Sequence, residues 1–452
     1  MTATAPTTAA AVSTVGHASH AGPIRRIIAA SLLTGSALAA VLALVVFAGA
    51  GEHVITGSAL IGFAAGWALL AVLSVRLTTQ PQRWALVPSA GMAVTGLGLL
   101  AFAPGNDGLT ATGWVWPVVL IALAVWMGIR IRRSLAGGSG RWLLYPVVAV
   151  IAAVAVGGMG ETIGLTSDHR SYAMPGKSYD VGGYRLHLDC TGSGSPTVVL
   201  SSGLGETSAN WARIAPALAG TTRVCAYDRA GQGWSDDAPA PQDGLQSAAD
   251  LHALLARAGE DGPYVLVGHS IGGDYAMAYA DRYPEQVAGM VLLDATDPYR
   301  ASTSADAAPP SAIAVLPSLT RLGVGRLLPT AFWSALPEPA AGQVQAFNSS
   351  PRGWRNIRDE YATLPALLDQ AQALTTLGNT PLLVLTAAGH EADPAWLAAQ
   401  DRMATLSASS VHRFADATHA ALLDEERGAA TSVEAIDDVV RAVRAGTPLP
   451  PD

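Results

Sequence analysis

The sequence is short of charged residues, and they are especially sparse in its first third. Only 14% of the 452 residues are Asp, Glu, Lys or Arg, against about 25% in an ordinary soluble domain. No Lys or Arg occurs between Ile27 and Val75, whereas charged residues return at ordinary density from Lys177 onward. This pattern excludes one uniform soluble domain, and it divides the chain into an apolar first part and a soluble second part.

The chain also lacks the excess of basic residues that is typical of nucleic-acid-binding proteins. Its 27 Lys and Arg are outnumbered by 35 Asp and Glu, which gives a formal net charge of −8 at pH 7. We therefore expect no nucleic-acid partner. No internal repeat is visible, and the sequence leaves the oligomeric state open.

Uncharged apolar runs fill the first part, each close to the roughly 20 residues needed to cross a bilayer. There are five of them: Ile27–Gly49, Val54–Val75, Trp84–Ala103, Leu109–Ile129 and Trp142–Gly160. We therefore predict a membrane domain over residues 27–160 with five transmembrane helices, followed by a linker over residues 161–178. The Ala- and Thr-rich stretch before it, residues 1–26, is predicted to be a disordered cytoplasmic tail.

The arginines of the first part predict its orientation. They occur only in alternate loops, at Arg25, Arg26, Arg76, Arg83, Arg130, Arg132, Arg133 and Arg141. Because positively charged loops stay in the cytoplasm, the N-terminus is predicted inside and the chain beyond about Gly160 outside. The protein is thus expected in the plasma membrane. The spans contain none of the charged residues that mark ion pathways, so anchoring in the lipid bilayer is the plainer role.

The second part, residues 179–446, alternates β-rich runs with helical patterns. The runs are Tyr184–Cys190, Pro196–Gly203, Thr222–Asp228, Tyr264–Ser270, Gly289–Ala295, Pro381–Ala387 and Ser409–Ala415. Apolar strands interleaved with helices predict an α/β domain, with a mostly parallel sheet and functional groups at the carboxyl ends of its strands. The stretch 297–380, rich in Pro, Ala and Leu, is too long for a simple loop and predicts a helical lid.

The segment Gly268–Gly272, "GHSIG", has the form G-x-S-x-G between a predicted strand and a predicted helix. Such a turn exposes the hydroxyl of Ser270, and the start of the helix directs backbone N–H groups toward a developing negative charge. We therefore predict that Ser270 is a nucleophile. The predicted oxyanion donors are the N–H groups of Ile271 and of Leu204, which lies in a glycine loop after an earlier strand.

A serine nucleophile needs a base and an acid that orients the base. His419 is the predicted base, because it lies just beyond the last predicted strand. Two placements of the acid stay open. Asp294 is favoured because it ends its strand directly, and the alternative is Glu391 or Asp393 after the following strand.

The sequence has only two cysteines, Cys190 and Cys225. Both fall in the part that is predicted to lie outside the cytoplasm, where disulfides persist. A disulfide bond and two small buried side chains in separate strands both remain open.

These motifs together resemble the α/β-hydrolase superfamily, specifically its esterase-like serine hydrolases. The resemblance covers residues 184–444. It rests on five segments, which bring Ser, Asp and His in the expected order: the glycine loop Ser202–Gly205, the loop Tyr227–Asp236, the nucleophile motif "GHSIGG", "LLDA" and "ATH". It implies an α/β-hydrolase fold with about eight strands, a helical lid between the sixth and seventh, and acyl-enzyme hydrolysis without metal or cofactor.

The resemblance also bears on the choices left open. Some relatives carry their acid after the sixth strand, at a spacing like that of Asp294. The strands of Cys190 and Cys225 are neighbours in the usual strand order, which favours a disulfide. One departure is Ser202 in the glycine loop, where many relatives have His, and this puts the substrate fit in doubt.

The sequence thus predicts a membrane-anchored serine hydrolase that cleaves small-molecule carboxylic esters. Its apolar lid suggests a lipophilic acyl group. The alternatives are a membrane receptor or sensor on the hydrolase fold, or another triad chemistry, such as that of an aminopeptidase, lactonase or perhydrolase. Dehalogenases and epoxide hydrolases of this fold use an Asp nucleophile, which Ser270 excludes.

Overall fold

The computed structural model describes residues 21–135, 140–299, 311–329, 334–390 and 393–449. Most of the predicted disordered tail, residues 1–26, lies outside the described residues, and the first helix begins at Ala21. The α-helices are α1 Ala21–Val41, α2 Glu52–Leu77, α3 Leu86–Phe102, α4 Asn106–Ala111, α5 Trp116–Ser134, α6 Arg141–Ser171, α7 Ile214–Leu218, α8 Gly244–Ala258, α9 Ile271–Arg282, α10 Ser311–Thr320, α11 Ala340–Asn348, α12 Pro351–Ala371, α13 Pro394–Ala404, α14 Ala421–Asp424 and α15 Glu426–Ala445.

Four helical segments of the first part are long and apolar enough to cross a membrane: Pro23–Val46, Glu52–Leu77, Arg83–Phe102 and Arg141–Ser171. The run predicted as a further span, Leu109–Ile129, is broken instead. Its two pieces, Asn106–Trp114 and Trp116–Ser134, meet at a bend of 50°. Pro117 lies in the first turn of the second piece, where its missing N–H costs no helical hydrogen bond. The described chain therefore has four candidate spans, or five if the bent pair crosses as one.

These helices pack through an aromatic cluster and leave apolar side chains outside. The ring centroids of Trp67 and Trp84 are 5.9 Å apart, and Trp126 meets Trp84 edge-on at 6.2 Å. Large apolar side chains on the outer surface include Val94, which is 71% exposed, and Phe102, which is 85% exposed. Many exposed apolar side chains on one group of helices are typical of a membrane or protein contact.

The junction between the two parts differs from the predicted linker over residues 161–178. Helix α6 continues past Gly160 to Ser171, and the first strand already begins at Lys177. The connection is therefore mostly helical. Polar residues such as Glu161 and Asp168 ended the apolar pattern at this point but did not end the helix.

Eight strands form one sheet in the order β1-β2-β4-β3-β5-β6-β7-β8. They are β1 Lys177–Asp180, β2 Arg185–Thr191, β3 Thr197–Ser201, β4 Val224–Tyr227, β5 Tyr264–His269, β6 Val287–Leu293, β7 Leu382–Ala387 and β8 Ser410–Ala415. Strand β2 pairs antiparallel with both of its neighbours, β1 and β4, and all other neighbouring pairs are parallel. This confirms the predicted mostly parallel sheet of about eight strands.

Hydrophobic clusters lie on both faces of the sheet, so its central strands are buried throughout. One cluster contains Leu266 and Tyr279, and the other contains Val267 and Ile436. Because β3, β5 and β6 are parallel neighbours, their carboxyl ends meet at one edge of the sheet. The described part of the predicted lid, residues 297–380, contains α10, α11 and α12 between β6 and β7.

Candidate active site

Ser270 sits on a strained turn between β5 and α9. Its backbone angles are φ 54° and ψ −129°, a region that residues with a Cβ rarely occupy and that often marks a functional site. The backbone N–H of Ser270 donates to the carbonyl oxygen of Leu293, and its carbonyl oxygen accepts from the N–H groups of Gly273 and Thr296. The turn is therefore tied to β6 and to the first turn of α9.

The two glycines of the motif allow this turn to form. A Cβ on Gly268 would lie 2.4 Å from the backbone of Gly272, and a Cβ on Gly272 would lie 2.2 Å from the carbonyl oxygen of Ser201. Real Cβ atoms do not approach other atoms this closely. The G-x-S-x-G pattern thus reflects the close packing of β5, α9 and the end of β3.

The structure brings His419 and Asp294 together. The Nδ1 atom of His419 lies 2.6 Å from Oδ2 of Asp294. The other carboxylate oxygen of Asp294 accepts from the N–H of Ala387 at 3.2 Å and from the indole N–H of Trp396 at 3.1 Å. Asp294 is fully buried and His419 is partly exposed. This contact fixes the orientation of the imidazole ring, and with Nδ1–H as the donor to the carboxylate, Nε2 is the ring atom that can act as a base.

Of the two alternative acids, Asp393 has a different role in the part of the chain that the structure describes. Asp393 accepts from the N–H groups of Ala395 and Trp396 and so caps α13. Glu391 lies outside the described residues.

The glycine loop after β3 lies against Ser270. A Cβ on Gly203 would be 3.1 Å from Cβ of Ser270, and Leu204 packs on the cluster that contains Ile271 and Tyr275. The two predicted oxyanion donors, the N–H groups of Leu204 and Ile271, therefore belong to segments in contact beside Ser270.

A buried ion pair joins the loops around the site. Nδ1 of His269 lies 2.8 Å from Oε1 of Glu206, and the other oxygen of Glu206 accepts from the N–H of Gly203 at 2.5 Å. Nε2 of His269 lies 3.0 Å from the carbonyl oxygen of His419, and the two imidazole rings are 4.4 Å apart. His269 thus joins the nucleophile turn to the glycine loop and to the segment that carries His419.

The ion pair favours the charged form of both of its members. Burial disfavours each charge, but Glu206 raises the pKa of the His269 imidazole above its usual value. In turn, and despite burial, His269 lowers the pKa of the Glu206 carboxyl. A protonated His269 can donate from both ring nitrogens, to Glu206 and to the carbonyl of His419.

Three residues at the site were not predicted from the sequence: Glu206, Arg229 and Glu360. Arg229 and Glu360 form a buried ion pair at 2.7 Å. Glu206 directly follows the glycine loop, and this position in the sequence could have indicated that it lies at the site. Nothing in the sequence pairs Arg229 with Glu360, which follows it by more than a hundred residues in the lid.

The cysteines form a disulfide between adjacent strands. Cys190 of β2 and Cys225 of β4 are register partners and are bonded. With Glu260 they form the only group of His, Cys, Asp and Glu side chains in the described ranges that is close enough to hold a metal. The bonded sulfurs are not available as thiolate ligands, and Glu260 pairs with Arg223 at 2.5 Å. This group therefore does not suit a metal.

Residues 196–322 match the family model of the alpha/beta hydrolase fold. The match spans β3 to the lid and includes Ser270 and Asp294, and the strand order and the nucleophile turn agree with it. The second part of the chain therefore has the α/β-hydrolase fold.

Curated relatives match only a portion of the α/β-hydrolase domain. A 2-hydroxymuconate semialdehyde hydrolase from Pseudomonas sp. strain CF600 is 36% identical over 120 residues, which are 26% of this chain and 42% of that protein. An uncharacterised protein from Schizosaccharomyces pombe is 36% identical over 154 residues, which are 27% of this chain and 29% of that protein. The chain spans less than half the length of these curated relatives.

Solved structures resemble the α/β-hydrolase domain at low identity. A thermophilic esterase from Thermogutta terrifontis is 22% identical, with a TM-score of 0.46, over 59% of this chain and 97% of that one. The epoxide hydrolase CorEH is 21% identical, with a TM-score of 0.47, over 58% of this chain and 98% of that one. Neither likeness says anything about the reaction.

Proposed function

We propose that this chain is a membrane-anchored serine hydrolase that cleaves carboxylic esters through an acyl-enzyme. The observation that carries the proposal is the 2.6 Å contact between Nδ1 of His419 and the buried carboxylate of Asp294. The His419 ring also lies against His269, the residue that precedes the strained Ser270. Nucleophile, base and acid therefore occupy three neighbouring segments at one edge of the sheet.

In the first step, Oγ of Ser270 attacks the ester carbonyl carbon while its proton passes to Nε2 of His419. The carbonyl oxygen becomes an oxyanion and accepts hydrogen bonds from the N–H groups of Ile271 and Leu204. The bond to the leaving oxygen then breaks. Nε2 returns the proton to this oxygen, so that an alcohol departs and the acyl group remains on Ser270.

In the second step, water attacks the acyl carbon and gives a proton to Nε2 of His419. The bond between the acyl carbon and Oγ of Ser270 breaks, and Nε2 returns the proton to Oγ, which releases the carboxylic acid. Throughout, Asp294 stabilises the imidazolium that forms on His419 and holds its orientation.

Two features support a site outside the cytoplasm. The arginine-bearing loops of the first part lie on one side if it crosses the membrane five times, with the bent helix pair counted as one span. A disulfide such as Cys190–Cys225 persists in an oxidising compartment.

We propose that the ester substrate carries a lipophilic acyl group of medium length. The lid presents apolar residues next to the helices of the first part, and Leu327 is 81% and Val324 48% exposed there. If an acyl chain binds to these apolar residues, affinity should increase as methylene groups are buried, by about 0.8 kcal/mol each.

Hydrolysis of p-nitrophenyl esters by the full chain in detergent tests both parts of the proposal. The wild type should hydrolyse the series from acetyl to octanoyl with kcat/KM rising along it, and Ser270→Ala should reduce every rate to background. Equal activity of the wild type and Ser270→Ala would refute the nucleophile. A preference for acetyl over octanoyl would refute the lipophilic substrate only.

A further inference from the structure

A buried arginine holds the glycine loop that lies beside Ser270. Nη1 of Arg229 donates to the carbonyl oxygen of Ser202 at 2.6 Å, and Nη2 donates to that of Gly203 at 3.2 Å. Arg229 is only 4% exposed. Because an arginine presents several donors in a rigid plane, it can fix two successive carbonyl groups together.

The contact with Gly203 determines where the next N–H points. In a trans peptide, the C=O of one residue and the N–H of the next lie in one plane and point in opposite directions. When Arg229 holds the carbonyl of Gly203, the N–H of Leu204 must therefore face away from the guanidinium. The N–H of Gly203 is already engaged by Glu206, so the Leu204 N–H is the donor that this loop can offer an oxyanion.

Arg229 is in turn held by the lid and by the nucleophile helix. Its Nε and Nη2 atoms donate to Oε1 of Glu360 in α12, at 3.0 and 2.7 Å. The guanidinium carbon lies 4.1 Å from the ring centroid of Tyr275, one turn after Ile271 in α9. Although burial disfavours its charge, Glu360 raises the pKa of Arg229, which therefore remains a donor.

We propose that Arg229 is a positioning residue that orients the Leu204 N–H toward the oxyanion, and that Glu360 makes this orientation depend on the lid. The inference rests on the proposed serine-hydrolase function. Arg229 does not touch the reacting atoms, so its loss should impair the transition state rather than the binding of substrate. The expected signature is a lower kcat with little change in KM.

Arg229→Lys tests the inference, because a lysine keeps the charge but cannot hold two carbonyl groups in one plane. Loss of one oxyanion donor lowers kcat by about 100- to 1000-fold in well-studied hydrolases, so a misaligned donor should cost roughly 10- to 100-fold. KM for p-nitrophenyl esters should change less than about threefold. Affinity for a trifluoromethyl ketone, which forms the tetrahedral adduct, should fall by the same factor as kcat.

The chain offers a matched control in Arg223. It also pairs with a glutamate, Glu260, and donates to a loop carbonyl, that of Gly192, at the far end of β4. Arg223→Lys should leave kcat and inhibitor affinity unchanged. Thermal unfolding in detergent checks that each variant is folded.

A second variant separates positioning from a loss of the fold. Arg229→Met with Glu360→Leu removes both buried charges, which proteins often tolerate without loss of stability, and it should show the same fall in kcat. A folded double variant with the kcat of the wild type overturns the inference. So does a fall in kcat that is no larger than the fraction of the variant that is unfolded. If the wild type itself does not hydrolyse esters, the proposed function fails first.

Discussion

Consecutive residues at the nucleophile turn meet different surroundings. His269 is buried between Glu206 and the backbone of His419, whereas Ser270 is half-buried at the carboxyl edge of the sheet. His269 ends β5, whereas Ser270 lies on the strained turn that follows it, and this change of backbone conformation separates their side chains. His269 is thus a structural member of the site although it lies next to the nucleophile.

Asp294→Asn tests the acid at the residue scale. An amide cannot stabilise the imidazolium, and it favours the wrong tautomer of His419. We expect kcat to fall by about four orders of magnitude near pH 7, as in the best-studied serine protease, with the fold intact. Steady-state hydrolysis of p-nitrophenyl butyrate provides the measurement.

Asp393→Asn is the matched control for this variant. Asp393 was an alternative acid in the sequence, but its carboxylate caps α13, and asparagine caps helices equally well. Its kcat should stay within about threefold of the wild type. A large loss in Asp393→Asn together with an active Asp294→Asn would reverse the assignment.

At the scale of elements, the lid is attached to helices of the first part through buried ion pairs. Nη2 of Arg321, at the end of α10, donates to Oε2 of Glu52 at 2.9 Å. Arg326 lies 2.6 Å from Glu161 and 2.8 Å from Asp168, both on α6. The apolar helices of the first part are therefore in direct contact with the lid.

Arg321→Glu tests this attachment, because it places two carboxylates together at a site where Glu52 is 3% exposed. Breaking a buried pair costs on the order of 3 kcal/mol, so amide hydrogen exchange over residues 311–329 should accelerate at least about tenfold. The charge swap Glu52→Arg with Arg321→Glu should restore slow exchange.

Arg427→Glu serves as the control for hydrogen exchange. Its pair with Asp416 is almost fully exposed and should contribute little. Unchanged exchange in Arg321→Glu, or equal acceleration in both variants, would mean that the ion pair does not hold the lid.

Element prediction succeeded where the local pattern decides the structure. Strands β3 to β7 are apolar runs, and the turn at Ser270 follows from its two glycines, so both were visible in the sequence. Strand β1, "KSYD", is a short polar edge strand without an apolar pattern, and it forms because its backbone pairs with that of β2. Long-range contacts such as that of Arg229 with Glu360 leave no local pattern, because the fold alone brings them together.

At the scale of the whole molecule, one chain joins an apolar helical part to a domain with the α/β-hydrolase fold. The two parts contact each other through the ion pairs of the lid. The exposed apolar surface of the helices suits a bilayer, and the disulfide between β2 and β4 suits an oxidising compartment. The serine hydrolase that we propose, held with its site outside the cytoplasm, predicts both features.

Labelling of intact cells with a membrane-impermeant fluorophosphonate tests this account most directly, since it reports nucleophile and location together. Cells that express the full wild-type chain should be labelled before lysis, and cells that express Ser270→Ala at the same level should not. Labelling of the wild type only after lysis would contradict the orientation, and no labelling of folded wild type under either condition would contradict the serine hydrolase.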